Sequence, residues 1–181
     1  GLANARHEFN LESDFTNQGI VNFSNLVSAN FSSEATNGIV DVNFTADNKD
    51  QVVLLQNTTN FYRIEINKGV DDTYIVDLSA TDPAFFNLFG FAAQPTNSPQ
   101  LTTNSNALGL IFGTAKIGTN INIAALNTTN NYSIFEGAQI WVDGGSVTKP
   151  SGTAIVPYGH LRVSAGTLNA PINSGITTRD N

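Results

Sequence analysis

Residues 7–15 alternate without interruption. His7, Phe9, Leu11, Ser13 and Phe15 fall on one side, and Glu8, Asn10, Glu12 and Asp14 on the other. A period of two belongs to a strand with one buried face. Segments with the same alternation, or with β-branched and aromatic runs, follow at 20–23, 26–31, 39–46, 51–56, 61–67 and 73–80, then at 108–112, 115–117, 121–126, 132–135, 139–143, 153–156 and 161–165. Turn residues divide them. Asn37-Gly38 and Asp47-Asn48-Lys49-Asp50 are the clearest, because Asn, Asp and Gly accept the backbone angles of tight turns. The run Val52-Val53-Leu54-Leu55 predicts a strand buried on both faces.

The polar load of the chain points the same way. Charged residues make up only 13% of the sequence, so Asn, Thr, Ser and Gly carry the surface, and all four are weak helix formers. Val, Ile, Phe, Tyr and Thr suit a pleated, half-buried surface instead. One short helix is predicted near 82–90, with Asp82 as N-cap, Pro83 at the first helical position and Gly90 as the stop. It carries Phe85, Phe86, Leu88 and Phe89, an apolar load that needs cover. Residues 94–106 read as a long polar loop. Short strands with turns every eight to twelve residues or so predict an all-β fold, a β-sandwich of jelly-roll or pilin-like form. Its expected organisation is an N-terminal extension at 1–15, a domain at 16–165 and a C-terminal edge segment or tail at 166–181. The stretches 54–62 and 124–132 share an Asn-Thr-Thr-Asn turn, read as one turn solution used twice.

A net charge of -7, with eight basic residues scattered along the chain, excludes a nucleic-acid partner, which needs clustered Lys and Arg. No run of 18 or so apolar residues is long enough for a membrane-spanning helix. Cysteine and methionine are both absent. Together with the Asn- and Thr-rich composition this favours an exported chain, extracellular or at the cell surface after removal of a signal peptide, over a cytosolic one. Without disulfides, such a chain is held by packing, glycans, ions or neighbouring subunits.

Catalytic constellations are missing from the sequence. Its two histidines, His7 and His160, are far apart, and no nucleophile elbow, zinc-binding helix motif or phosphate-binding loop occurs. The chain is therefore not expected to be an enzyme. Calcium is the one candidate ion, because loops at Asp47 and Asp50, at Asp71 and Asp72, and at Asp143 collect the oxygen ligands it takes. Six Asn-x-Ser/Thr sequons, at Asn22, Asn30, Asn43, Asn57, Asn127 and Asn131, are glycosylation candidates. A carbohydrate-binding, lectin-like module is the alternative function, with Trp141, Tyr132, Tyr158 and Asp143 as a stacking platform.

The alternating segment suits one further role. An extended terminal strand can complete a neighbour's sheet, its apolar side chains filling successive pockets; it can equally be the first strand of its own sheet. In this plan the chain resembles the archaeal and bacterial filament subunits joined by donor-strand exchange: archaeal threads, bundling pili, cannulae and TasA-like fibres. The resemblance implies a processed β-sandwich that polymerises head to tail with identical subunits. It implies Phe9, Leu11, Ser13 and Phe15 as donor positions, N-glycans as in the archaeal cases, and calcium dependence as in cannulae.

Overall fold

The computed structural model describes residues 6–31, 35, 38–92, 106–150, 152 and 154–170. Its strands are β1 (Arg6–Leu11), β2 (Phe15–Asn17), β3 (Val21–Asn22), β4 (Ile39–Phe44), β5 (Gln51–Leu55), β6 (Thr59–Phe61), β7 (Arg63–Asn67), β8 (Ile75–Ala80), β9 (Phe86–Leu88), β10 (Leu108–Ile117), β11 (Asn122–Ile123), β12 (Tyr132–Ile134), β13 (Ala138–Thr148), β14 (Ile155–Pro157) and β15 (His160–Asn169). Every ladder between them is parallel. The one antiparallel contact among the described residues is an isolated bridge between Ser24 and Ile39.

Successive strands do not pair with each other. Each pairs with the strand one turn of the chain later, so β1 lies beside β4 and β4 beside β7, while β2 lies beside β5 and β5 beside β8, and β3 beside β6 and β6 beside β9. The chain thus winds as a coil, with one strand on each of three faces per turn. The largest sheet is a ten-stranded, curled, all-parallel half-barrel. Its bend runs through β10, whose first half pairs with β7 and whose second half pairs with β8 and β13. Gly113 sits at that bend with φ 92°, a conformation that favours glycine.

The predicted β-sandwich is therefore corrected: the fold is all-β, but it is neither a jelly-roll nor pilin-like. Turn residues mark corners of a coil here, whereas the sandwich reading took them for hairpins, and corner and hairpin have the same local chemistry. The helix near 82–90 is corrected too. Pro83–Phe85 form a single 3-10 turn capped by Asp82, whose carboxylate accepts the Ala84 amide hydrogen, and Phe86 opens strand β9. Two turns of helix would have left the side chains of Phe85, Phe86, Leu88 and Phe89 on several faces; as a strand, β9 turns Phe86 and Leu88 inward. The Val52–Leu55 run is buried on one face only, with Val53 and Leu55 inside and Val52 47% exposed.

Register sets the core. In one inward row Phe15 lies beside Val53, Val53 beside Leu78, Leu78 beside Ile117, Ile117 beside Val142 and Val142 beside Val163. The middle members are fully buried, and each such side chain stabilises the fold by about 1.5–3 kcal/mol. Glycine fixes one corner. A β-carbon on Gly145 would lie 2.5 Å from the Gly118 carbonyl oxygen, and one on Gly166 would lie 2.2 Å from that of Gly145, so no side chain fits where these turns stack. The two Asn-Thr-Thr-Asn turns occupy different corners, one between β5 and β6 and the other between β11 and β12.

Candidate functional site

A coil of parallel strands has two ends, and among the described residues the outermost strands at each lack a further strand partner, although β14 is itself buried. At the first, β1, β2 and β3 each have a strand partner on one side only. Phe9 is 40% exposed, and Leu11, Phe15 and Phe23 are half-buried against the core. Aromatic rings stack inward from this end, with centroid separations of 5.8 Å for Phe9–Phe23, 5.4 Å for Phe23–Phe61 and 5.8 Å for Phe61–Phe86. At the second end, β14 pairs only with β12 and β15 only with β13. There Val163 is 49% exposed, although it points the same way as the buried Val142; Leu161 and Leu168 are half-buried.

A polar row runs along the outside between these ends. Val52 lies beside Asp77, Asp77 beside Lys116, Lys116 beside Trp141 and Trp141 beside Arg162. Asp14, whose carboxylate accepts the Val52 amide hydrogen at 2.8 Å, begins the row, and Arg162 ends it. Lys116 reaches Asp77 at 2.9 Å and Asp143 at 3.3 Å. Hydrogen bonding to Asp77, more than to Asp143, holds its ammonium above the usual lysine range. Asp143 is held below the usual carboxylate range, first by the Ser164 hydroxyl, which donates to it at 2.5 Å, and then by Lys116. The indole of Trp141 stands between two cations, 4.9 Å from Lys116 and 4.1 Å from Arg162, and donates to Ser164 at 2.7 Å. Beside this row Asp72 pairs with His160 and accepts from Gln139.

The expected sites fall as follows. The segment expected as a donor strand is, over Arg6–Leu11, an edge strand of its own chain in register with Ile39–Phe44. Phe9, Leu11 and Phe15 share the inward side as the alternation requires, and Ser13 lies in the turn, its carbonyl accepting from Gln51 at 2.7 Å. The stacking platform does not form: both indole faces of Trp141 are covered, Tyr132 is buried with its hydroxyl on the Leu108 carbonyl, and Tyr158 is half-buried beyond β14. Among the sequons, Asn22 and Asn30 are exposed and Asn57 and Asn131 half-exposed. Asn43 is buried with its amide nitrogen on Asn10, and Asn127 is fully buried with its amide nitrogen on Asn106.

Of the acidic loops, Asp47 and Asp71 line one cleft with Gly69, Thr73 and Tyr74. No group of three or more His, Asp or Glu able to hold a metal occurs among the described residues. Asp50 caps the Ile75 amide, Asp71 caps that of Thr73, and Asp72 and Asp143 serve the outer face; Asp47 lies beside Gly69 and Tyr74. Sequence reasoning missed Asp14, Asp77, Lys116 and Arg162 as partners, and Leu161 and Val163 as an open apolar end. The alternation His160, Leu161, Arg162, Val163, Ser164 carried the signal, but the row appears only once the register between turns is known.

Comparison of the chain with protein-family models, with curated proteins and with solved structures found no match. No helix among the described residues is long and apolar enough to cross a membrane. The geometry alone defines a class: a coil of parallel strands whose outermost strands, among the described residues, have no strand partner on one side.

Proposed function

We propose that this chain is a structural subunit of an extracellular filament or tube that grows head to tail, the first turn of one copy seated on the last turn of another. One observation carries the reading: the two ends are complementary. The inward row is apolar and open at both, with Phe15 at one end and Val163 at the other. The outward row begins in the acid Asp14 and ends in the cation Arg162. Stacking would set β1 on β14, β2 on the first half of β15 and β3 on its second half. It would extend the β2 and β3 ladders onto β15 and bring Arg162 of one copy beside Asp14 of the next.

Such a contact joins two different surfaces of the same molecule, and contacts of that kind propagate as open chains unless a rotation closes them. Edge strands with unmade hydrogen bonds are the usual templates for this growth. Each apolar side chain covered at the junction contributes about 1.5–3 kcal/mol, set against an association cost of about 4–15 kcal/mol. In this stacking Phe15 would meet Val163, Phe9 and Leu11 would face β14, and Leu168 would face β3; most are already half-buried, so each contributes about half of that value. The role needs no catalytic group, and the low charge of the chain, 13%, limits repulsion between stacked copies. The extracellular placement rests on composition.

The test uses Phe9→Asp and Val163→Asp, each of which spoils one end at a position already 40% or 49% exposed. Each variant alone should sediment as a folded monomer while the parent chain forms fibres or tubes visible by negative stain. An equal mixture should give dimers, because one sound first end remains for one sound last end. A parent chain that stays monomeric at every concentration, or a mixture that elongates, refutes head-to-tail stacking.

A further inference from the structure

Asn22 of β3, Asn60 of β6 and Asn87 of β9 are stacked in register on the outside of the third face. Their amides form a ladder: Asn60 donates to Asn22 at 2.6 Å and Asn87 donates to Asn60 at 2.9 Å. Each carboxamide has two N–H donors and two acceptor lone pairs. The ladder occupies one donor and one acceptor at each step, and Asn87 gives its second N–H to the Ala84 carbonyl at 3.4 Å, so the spare donors lie on Asn22 and Asn60, about 4.8 Å apart, the separation of neighbouring strands.

These amides floor a groove of about 740 Å³. Leu26, Val27 and Phe89 also line it, Val27 being 95% exposed. The wall is pinned: Asn25 donates its amide hydrogen to the Gly38 carbonyl at 3.0 Å, Leu26 to the Ser24 hydroxyl at 3.0 Å, and Asn30 to the Phe89 carbonyl at 3.1 Å. No residue lining the groove is charged, which sets it apart from the Asp77–Lys116–Arg162 face.

We infer that this groove is a binding site for an uncharged oligosaccharide. A row of spare amide donors and acceptors matches vicinal hydroxyls, which offer both in the same plane. The apolar wall of Leu26, Val27 and Phe89 matches the C–H faces of a sugar ring, and pockets that combine an apolar lining with a few fixed polar groups are the common form of small-ligand site. An anionic ligand finds no cation here, in a chain of net charge -7. The platform around Trp141, with both ring faces covered, offers a sugar no comparable surface. Asn60 and Asn87 lie along the side of the coil, while Asn22 sits on β3, the edge strand that end-to-end stacking would pair on its other side.

The experiment is calorimetric titration of the full chain, made without glycosylation, with cellohexaose, maltohexaose and chitohexaose, and with an oligogalacturonate as the charged comparison. At least one neutral probe should bind with a millimolar or tighter constant, and the charged one should not. Asn60→Ala, which opens the ladder, and Asn25→Ala, on the exposed wall and outside the ladder, should each weaken binding about tenfold or more, an order of magnitude per lost directional contact. Trp141→Ala should leave it unchanged. Absence of binding by all three neutral probes, binding that survives both Asn variants, or binding abolished by Trp141→Ala would each overturn the assignment.

Discussion

The two ends of the coil solve the same problem differently. At the first end the interior is stopped with rings: Phe9 and Phe15 pack on Phe23, Phe23 stacks on Phe61, and Phe86 lies behind it. A polar clamp reinforces them. The ammonium of Lys68 donates to the Gln51 side chain at 2.6 Å, and the Gln51 amide donates to the carbonyls of Leu11 at 3.2 Å and Ser13 at 2.7 Å, so three successive turns are tied together. At the second end the inward side of β15 carries only Leu161, Val163 and Leu168, and the strand is exposed over most of its length. One end is therefore stiff and partly self-covered, and the other is a bare edge. In the proposed junction, the first end would act as a preformed knob and the second as the surface completed on contact.

That comparison can be broken at several strengths. The largest effect should come from Phe61→Ala, which removes the ring that joins the stack to the core; a loss of about 3–5 kcal/mol is expected, read as a fall in denaturation midpoint. The mirror change, Val163→Ala, should cost the monomer under about 1 kcal/mol, because half of that side chain is already in solvent. Equal costs would refute the claimed difference between the ends. Next, Gln51→Ala should destabilise by about 1–3 kcal/mol, since it strands the buried Lys68 nitrogen and the Ser13 carbonyl, the Leu11 carbonyl keeping the Thr45 amide; a neutral result would show that the clamp holds nothing.

A smaller effect concerns pH. Burial pushes Lys68 below its ordinary value of 10.5, and it does the same to Lys149, whose ammonium donates to the Asn127 carbonyl. The unfolded chain then binds these protons more tightly than the folded one. Stability should therefore rise with pH from each lowered folded value up to 10.5 and level off above it. Lys68→Met should flatten that rise in denaturant titrations, and the double change with Lys149→Met should flatten it further; an unchanged slope would refute the account. The smallest change belongs to the outer face. Ser164→Ala removes the hydroxyl that does most to depress Asp143, so its carboxylate should titrate closer to the ordinary 3.8 by NMR, with no loss of fold.

Much of this was legible in residues, though unevenly. The alternation at 7–15 correctly separates Phe9, Leu11 and Phe15 from Glu8 and Asn10, because period-two geometry is local. The six sequons could be found in the sequence but not ranked: Asn22 and Asn43 look alike there, and the fold exposes one on β3 and buries the other on β4. The acidic loops were visible as clusters, but not that Asp47 and Asp71 share one cleft while Asp50 and Asp71 cap the amides of Ile75 and Thr73. The outward row was invisible, because Asp77, Lys116, Trp141 and Arg162 are scattered through the chain and meet only through parallel register.

The sequence by itself determined that this is a chain of short strands with one face in, weak in helix, low in charge, and broken at Asn, Asp and Gly. Those properties depend on single residues and their nearest neighbours. Only the tertiary structure decided whether a turn reverses the chain into a hairpin or carries it round a corner, and with it whether strands pair antiparallel or parallel. The choice rests on contacts between turns 21 residues apart, as for Gln139 and His160, or 44 apart, as for Ile64 and Leu108. Because that spacing is irregular, no repeat in the sequence announces it. The close approach of Gly118, Gly145 and Gly166 at one corner is a property of the stack, and no one of these glycines carries it alone.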